Sequence, residues 1–355
     1  MKILIYGAGA VGGYLGARLQ QHGHDLTLVT RDVTADVINS NGLILTEGDE
    51  TIRTTPIALT SIAQAFTTGS STDYDLIIMS MKSYDLRPAL DHLVAFCPAP
   101  PPIITVQNGI GVEQPLSQQY GAERIITGSL TTPISKESAN QLVVERADRG
   151  LGLAPMQAGQ NIQKWVRLFQ TAGIPTEGIA DYQAMKWSKA LLNMVGNASS
   201  AILNRSPGAI YKIDALFNLE IQMLREALKV MDKLKLKAID LPGSPATKLA
   251  LSVRRAPKLI LKPFLTQIVA KGRGDKMPSF HIDLMAGKGK TEVIYHNGAV
   301  AQMGEKVGVA TPVNMVLTTT LLQLTRNEVD WRDYDGNAKR LLQAVRQAEQ
   351  AMKRK

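Results

Sequence analysis

Three groups of residues in this 355-residue chain have types and spacings that can do chemistry. The first is Gly7-Ala8-Gly9-Ala10-Val11-Gly12, a G-x-G-x-x-G directly after an apolar run and directly before a helical pattern. In that setting the first glycine permits a tight turn. The second lets a pyrophosphate approach the backbone, and the third lets helix and strand pack closely. The helix that follows offers unpaired N–H groups and the positive end of its dipole to the phosphates. The second is Arg31, at the end of the next strand pattern, Leu26-Thr27-Leu28-Val29-Thr30-Arg31. An NAD-binding chain usually places an acid there to accept from the ribose 2′-hydroxyl. A guanidinium cannot accept, but it pairs with a 2′-phosphate, so NADP(H) is the favoured cofactor. The third is Lys189, Asn193 and Asn197, at i, i+4 and i+8. On one continuous helix they would fan over about 80° of an otherwise apolar face. Asparagines in such a stripe need hydrogen-bond partners, which a small polar substrate or a buried network between helices would supply.

These residues have to be positioned by two different textures of sequence. Up to about residue 180, short β-rich runs alternate with helical patterns: Lys2–Tyr6, Asp25–Thr30, Asp75–Met81, Ile103–Gln107 and Arg124–Ser129, then Leu142–Glu145, Leu151–Leu153 and Ile174–Thr176. That alternation predicts βαβ units and a mostly parallel, doubly wound Rossmann-type sheet, the α/β class. From about Asp181 the apolar residues recur at helical spacing in Ala184–Leu203, Ala215–Lys237 and Val313–Arg326, predicting an all-helical second domain. The expected division is therefore 1–180 and 181–355. Ser61–Thr72 reads as a polar surface connection, Pro98–Pro102 as a stiff loop, and Met352–Lys355 as a frayed last turn.

Composition narrows the classes. With 45% apolar and 20% charged residues the chain can bury an ordinary core. A single cysteine, Cys97, excludes an internal disulfide framework and multi-cysteine zinc, and the five histidines form no HxxxH pair, so no metal site is expected. No signal peptide or membrane span is legible, which predicts a cytoplasmic protein without membrane contact. The formal charge is +9, and Arg225–Lys276 alone holds 13 Lys/Arg against four acids. Without interleaved aromatics or a nucleic-acid motif, this surplus reads as a solvated helical face, and no nucleic-acid partner is expected. The apolar helical half allows a homodimer.

Taken in order and spacing, GAGAVGG at 7–13, the arginine after strand two, MSMKSYD at 79–85, VQNGIG at 106–111, KWSKALLNMVGN at 186–197 and PSFHID…GKTEV at 278–293 resemble the ketopantoate reductase (2-dehydropantoate 2-reductase) family. The resemblance implies a Rossmann domain, a helical domain, and a cleft between them for NADPH and a small 2-keto acid. It implies Lys189 as general acid, a role suited to an ammonium whose ordinary pKa is about 10.4. It implies Asn193, Asn197 and Ser279 as substrate contacts, and Glu292 as the acid that orients the site near Lys189. Lys82 and Asn108 would flank cofactor and substrate. After Ser279 this chain has Phe280-His281 where the family usually has a Met-Leu-type pair. The implied reaction is NADPH-dependent reduction of 2-dehydropantoate to pantoate, toward pantothenate and coenzyme A. The alternatives are another small 2-keto acid on the same scaffold, or a binding protein that senses NADPH. His281 reads as a packing or surface residue.

Overall fold

Lys2–Tyr6 carries three apolar central residues that are completely buried, and as strand β1 it lies inside a sheet. In the computed structural model, which describes residues 1–66, 74–273 and 276–354, the chain divides into two units. The first is Met1–Lys186 with Asp240–Ser244; the second is Trp187–Ile239 with Pro245–Lys355. The division falls inside the helix Tyr182–Met194.

In the first unit the strands are β1 (Lys2–Tyr6), β2 (Asp25–Val29), β3 (Leu43–Glu47), β4 (Glu50–Thr54), β5 (Ile57–Leu59), β6 (Leu76–Met79), β7 (Ile103–Thr105), β8 (Ile125–Leu130), β9 (Ile134–Lys136), β10 (Gln141–Val144), β11 (Leu151–Pro155) and β12 (Thr176–Gly178). Eight form one sheet in the order β12-β11-β8-β7-β6-β1-β2-β5. All its pairs are parallel except β8 with β11. Because β1 pairs with both β2 and β6, strand order reverses at β1. In an open α/β sheet the crevice beyond the carboxyl end of such a strand is where ligands bind. The helix Ala10–Gln21 buries Leu15 and Leu19 in the same core as Ile3, Ile5 and Leu28, each such side chain stabilising the unit by roughly 1.5–3 kcal/mol.

The remaining four strands form a second, smaller sheet, β4-β3-β10-β9, which corrects the expectation of one sheet read from the strand patterns alone. The hairpin β3–β4 turns through Gly48 at φ +57°, and β10 runs parallel to β3. Residues 67–72 of the polar connection expected over 61–72 lie outside the described residues.

The named elements of the second unit, among its described residues, are all helices. Asp214–Lys233 buries Phe217, Leu224 and Met231, and Pro312–Thr325 packs alongside it. At their contact Glu226 accepts from the backbone N–H groups of Val313 (3.1 Å) and Asn314 (3.0 Å) and from Asn314 Nδ2 (2.8 Å). A carboxylate from one helix thus caps the start of another. Even so, burial pushes the Glu226 carboxyl up to about 7.

The helical stretch expected over 184–203 is two helices, Tyr182–Met194 and Ala198–Leu203. Gly196 sits between them at φ +60°, a backbone conformation glycine adopts readily and other residues do not. Its N–H, no longer part of a continuous helix, donates to Glu220 Oε2 at 2.7 Å, and Ser199 Oγ donates to Oε1 of the same buried carboxylate at 2.5 Å. The basic stretch includes the helices Ala246–Arg255 and Lys258–Arg273 and, beside its cations, exposes Leu259, Ile260 and Phe264. Arg254 there pairs with Asp232 (2.8 Å) and Lys262 with Asp214; residues 274–275 lie outside the described residues. The last helix continues to Lys353, so the turn expected to fray is helical to that residue, and Lys355 lies outside the described residues. No helix among the described residues is long and apolar enough to cross a membrane.

Candidate active site

The glycine loop lies where the strand order reverses, between the end of β1 and the helix Ala10–Gln21. Gly7 has φ +109°, and a Cβ there would stand 2.5 Å from the Met81 amide nitrogen. A Cβ on Gly12 would collide with the Gly7 carbonyl oxygen and with Ser80 Oγ, whereas one on Gly9 would meet nothing within 4 Å. The loop is thus closed tightly beneath its first and third glycines and open at the second. A pyrophosphate fits that cradle, with the N–H groups at the start of the helix, after Gly9 and Ala10-Val11, available to it. Ala8 is buried under the loop. Ser80, a residue the sequence reading did not single out, holds the cradle by donating to the Gly7 carbonyl at 2.7 Å.

Arg31 is the exposed residue immediately before the helix Asp32–Asn41, two residues past the end of β2. It therefore stands beyond the carboxyl end of the strand beside β1. Lys82 and Asn108, both half-buried, each follow a neighbouring parallel strand, β6 and β7, by three residues. Their loops are tied together: Ser83 Oγ donates to the Asn108 carbonyl at 2.6 Å, and Gln107 Nε2 lies 3.2 Å from Met81 Sδ. Under the Asn108 loop, Lys186 and Glu113 form an ion pair at 3.5 Å with exposures of only 2% and 1%. Lys186 Nζ also donates to the Gln107 carbonyl at 2.6 Å. Neither Lys186 nor Glu113 was singled out from the sequence; a lysine within a polar helical turn carries no local mark of burial.

In the second unit Lys189 and Asn193 are half-buried and one turn apart on Tyr182–Met194. Asn197 does not continue their helix face, because the chain breaks at Gly196; it stands instead at the start of Ala198–Leu203. Its amide is a bridge: Nδ2 donates to the Asn193 carbonyl at 3.1 Å, and Oδ1 accepts from the Phe280 N–H at 3.2 Å. The bridge brings the start of Ser279–Met285 to the Asn193 turn, with Ser279 exposed at its first position. Glu292, 4% exposed, opens the short 3-10 turn Glu292–Tyr295, which is capped by Thr291 Oγ1 accepting from the Val293 N–H at 3.3 Å. His281 packs on Trp331, and its Nε2 lies 2.8 Å from Asn204 Oδ1.

A glycine cradle at the reversal of strand order, with a cation past the neighbouring strand, makes the first unit a Rossmann-type dinucleotide-binding domain. Comparison with known proteins then fixes the group. The family described as "Ketopantoate reductase PanE/ApbA" matches residues 3–153, and its C-terminal counterpart matches residues 181–325. The chain belongs to the ketopantoate reductase family, and is an oxidoreductase that works with a nicotinamide cofactor. Among its relatives, the 2-dehydropantoate 2-reductase of Pyrococcus horikoshii is 29% identical over 324 residues, spanning 89% of this chain and 95% of that one. The crystal structure of a PanE/ApbA family ketopantoate reductase from Ralstonia eutropha shares the fold with a TM-score of 0.77 at 22% identity, covering 92% and 99% of the two chains. D-mandelate dehydrogenase, solved with NADH and anilino(oxo)acetate, does so with a TM-score of 0.75 at 20% identity over 92% and 99%.

Proposed function

We propose that this chain reduces 2-dehydropantoate to pantoate with NADPH in the cytoplasm, with Lys189 as the general acid. The observation that carries the reading is the half-buried Lys189–Asn193 turn within the segment that matches the family's C-terminal module. Relatives named 2-dehydropantoate 2-reductase that align along most of this chain support the substrate. Arg31 in place of an acid supports NADPH over NADH.

Gly7–Gly12 would seat the pyrophosphate on backbone N–H groups, and Arg31 would pair with the 2′-phosphate. Lys82 and Asn108, from the two adjoining loops, would border the nicotinamide half. When bound, the cofactor supplies the hydride that reaches the substrate's C2. Lys189 would hold a proton at Nζ, hydrogen-bond the C2 carbonyl oxygen, and release that proton to the oxygen as negative charge grows on it. The ketone thereby becomes an alcohol, with the hydride on carbon and the lysine proton on oxygen. Asn193 would orient the substrate, and Ser279 would contact its carboxylate. Asn197 would add its contact while holding Ser279 in place through Phe280. Glu292 would orient the lysine. Phe280 and His281, which follow Ser279 where the family usually has a Met-Leu-type pair, favour a second reading, in which the same chemistry acts on a different small 2-keto acid.

Lys189→Ala tests the mechanism. Turnover is expected to fall by about 100-fold or more, the scale of general acid catalysis, while the dissociation constant for NADP stays within about twofold of the parent. Undiminished turnover would remove Lys189 from the role.

A further inference from the structure

The edge strand β9 ends at Lys136, and it packs against the helix Ala10–Gln21 that rises from the glycine loop. Lys136 Nζ donates to the carbonyl of Ala8, inside the G-x-G-x-x-G, at 3.3 Å. The residue as a whole is exposed, but its ammonium is partly screened from water. That burial, and then the positive charge of Arg31, push its pKa below the usual lysine value. Two cations from distant parts of the chain, within electrostatic reach of one another, thus stand beside an anion-binding loop, and an anion bound there would relieve their repulsion.

We propose that Lys136 and Arg31 together form the seat for the adenosine 2′-phosphate, so that Lys136 is a second determinant of NADP selectivity. The inference rests on the reading of NADP as cofactor. In a Rossmann-type domain the residue after the second strand meets the ribose 2′ position, while the pyrophosphate sits at the helix N-terminus. Lys136 Nζ stands at the carbonyl of Ala8, the residue before the open Gly9, and within electrostatic reach of Arg31, which marks the first of these positions. The two cations are complementary: the guanidinium offers a planar fork to two phosphate oxygens, and the ammonium a compact charge to a third.

Calorimetric titrations of the parent, Lys136→Gln, Lys136→Arg and Arg31→Gln with NADP+, NAD+ and adenosine 2′,5′-bisphosphate test this. Lys136→Gln is expected to weaken NADP+ and the bisphosphate about tenfold, the loss of one charge-assisted hydrogen bond. It leaves NAD+ unchanged, which also shows the loop intact, and Lys136→Arg keeps most of the affinity. If Lys136→Gln matches the parent while Arg31→Gln loses NADP+, Arg31 reads the phosphate alone and the inference falls. Equal weakening of NADP+ and NAD+ would place Lys136 on the pyrophosphate and overturn it too. A parent that binds NAD+ as tightly as NADP+, indifferent to Arg31→Gln, would overturn the cofactor reading and this inference with it.

Discussion

Replacing Lys186 by Met leaves Glu113 as a carboxylate 1% exposed, with its ion-pair partner gone. It also deprives the Gln107 carbonyl of a 2.6 Å donor. No hydrogen bond reaches Glu113 Oε2 among the described residues, so the Lys186 ammonium is the group recorded against that oxygen. Breaking a buried pair by removing one partner costs about 3–5 kcal/mol, most of it the stranded charge rather than the lost attraction. The double variant Lys186→Met/Glu113→Gln removes both charges. It should lose far less than the sum of the singles, with a coupling of about 2–3 kcal/mol. Native-state hydrogen exchange at the buried amides of β7 and β8 reports the first unit by itself, and a four-variant cycle on those amides yields the coupling. Losses that simply add, or a Lys186→Met variant within about 0.5 kcal/mol of the parent, would refute the argument that this pair fastens the Asn108 loop.

Glu226 gives the second unit a pH dependence. Its carboxyl is raised from 4.5 to about 7 by burial; in that window the unfolded chain has released the proton and the folded chain has not. The stability contributed by Glu226 is therefore fullest below about pH 4.5 and falls by about 3 kcal/mol as pH rises to 7; urea unfolding of the parent beside Glu226→Gln should show the extra slope in the parent alone, and parallel profiles would contradict it. Gly12→Ala forces a Cβ against the Gly7 carbonyl and Ser80 Oγ, so NADP binding should weaken by more than about tenfold, the scale of the 1–3 kcal/mol that overpacking costs, as read by calorimetry. Gly196→Ala places a side chain at φ +60° with its Cβ 2.9 Å from Pro207 Cβ. It should cost about 1–3 kcal/mol in unfolding experiments, and a neutral effect would contradict the helix break.

The first sheet was legible because its signals are local. Lys2–Tyr6, the glycine loop and the helix after it are contiguous, and burial on both faces gives β1 and β6 continuous apolar runs. The smaller sheet was missed because β4 and β9 are short and polar on one side, and β9 is only three residues long. Gly48 between alternating runs was the available signal for the β3–β4 hairpin. Periodicity carried the 184–203 pattern straight through Gly196, since an isolated glycine is tolerated in helices; Gly-Asn at 196–197 was the stop signal. That single break removes Asn197 from the face of Lys189 and Asn193. Lys136 had no local mark at all, because it reaches Ala8 across 128 residues of chain only once β9 has paired with β10.

Initial rates of reduced-nicotinamide oxidation with 2-dehydropantoate, with NADPH and NADH side by side and other 2-keto acids as comparators, decide whether this chain is the reductase proposed. Turnover selective for 2-dehydropantoate and for NADPH is expected. Turnover confined to another 2-keto acid would relocate the substrate, and no turnover with any of them, despite bound NADPH, would contradict the reductase reading itself.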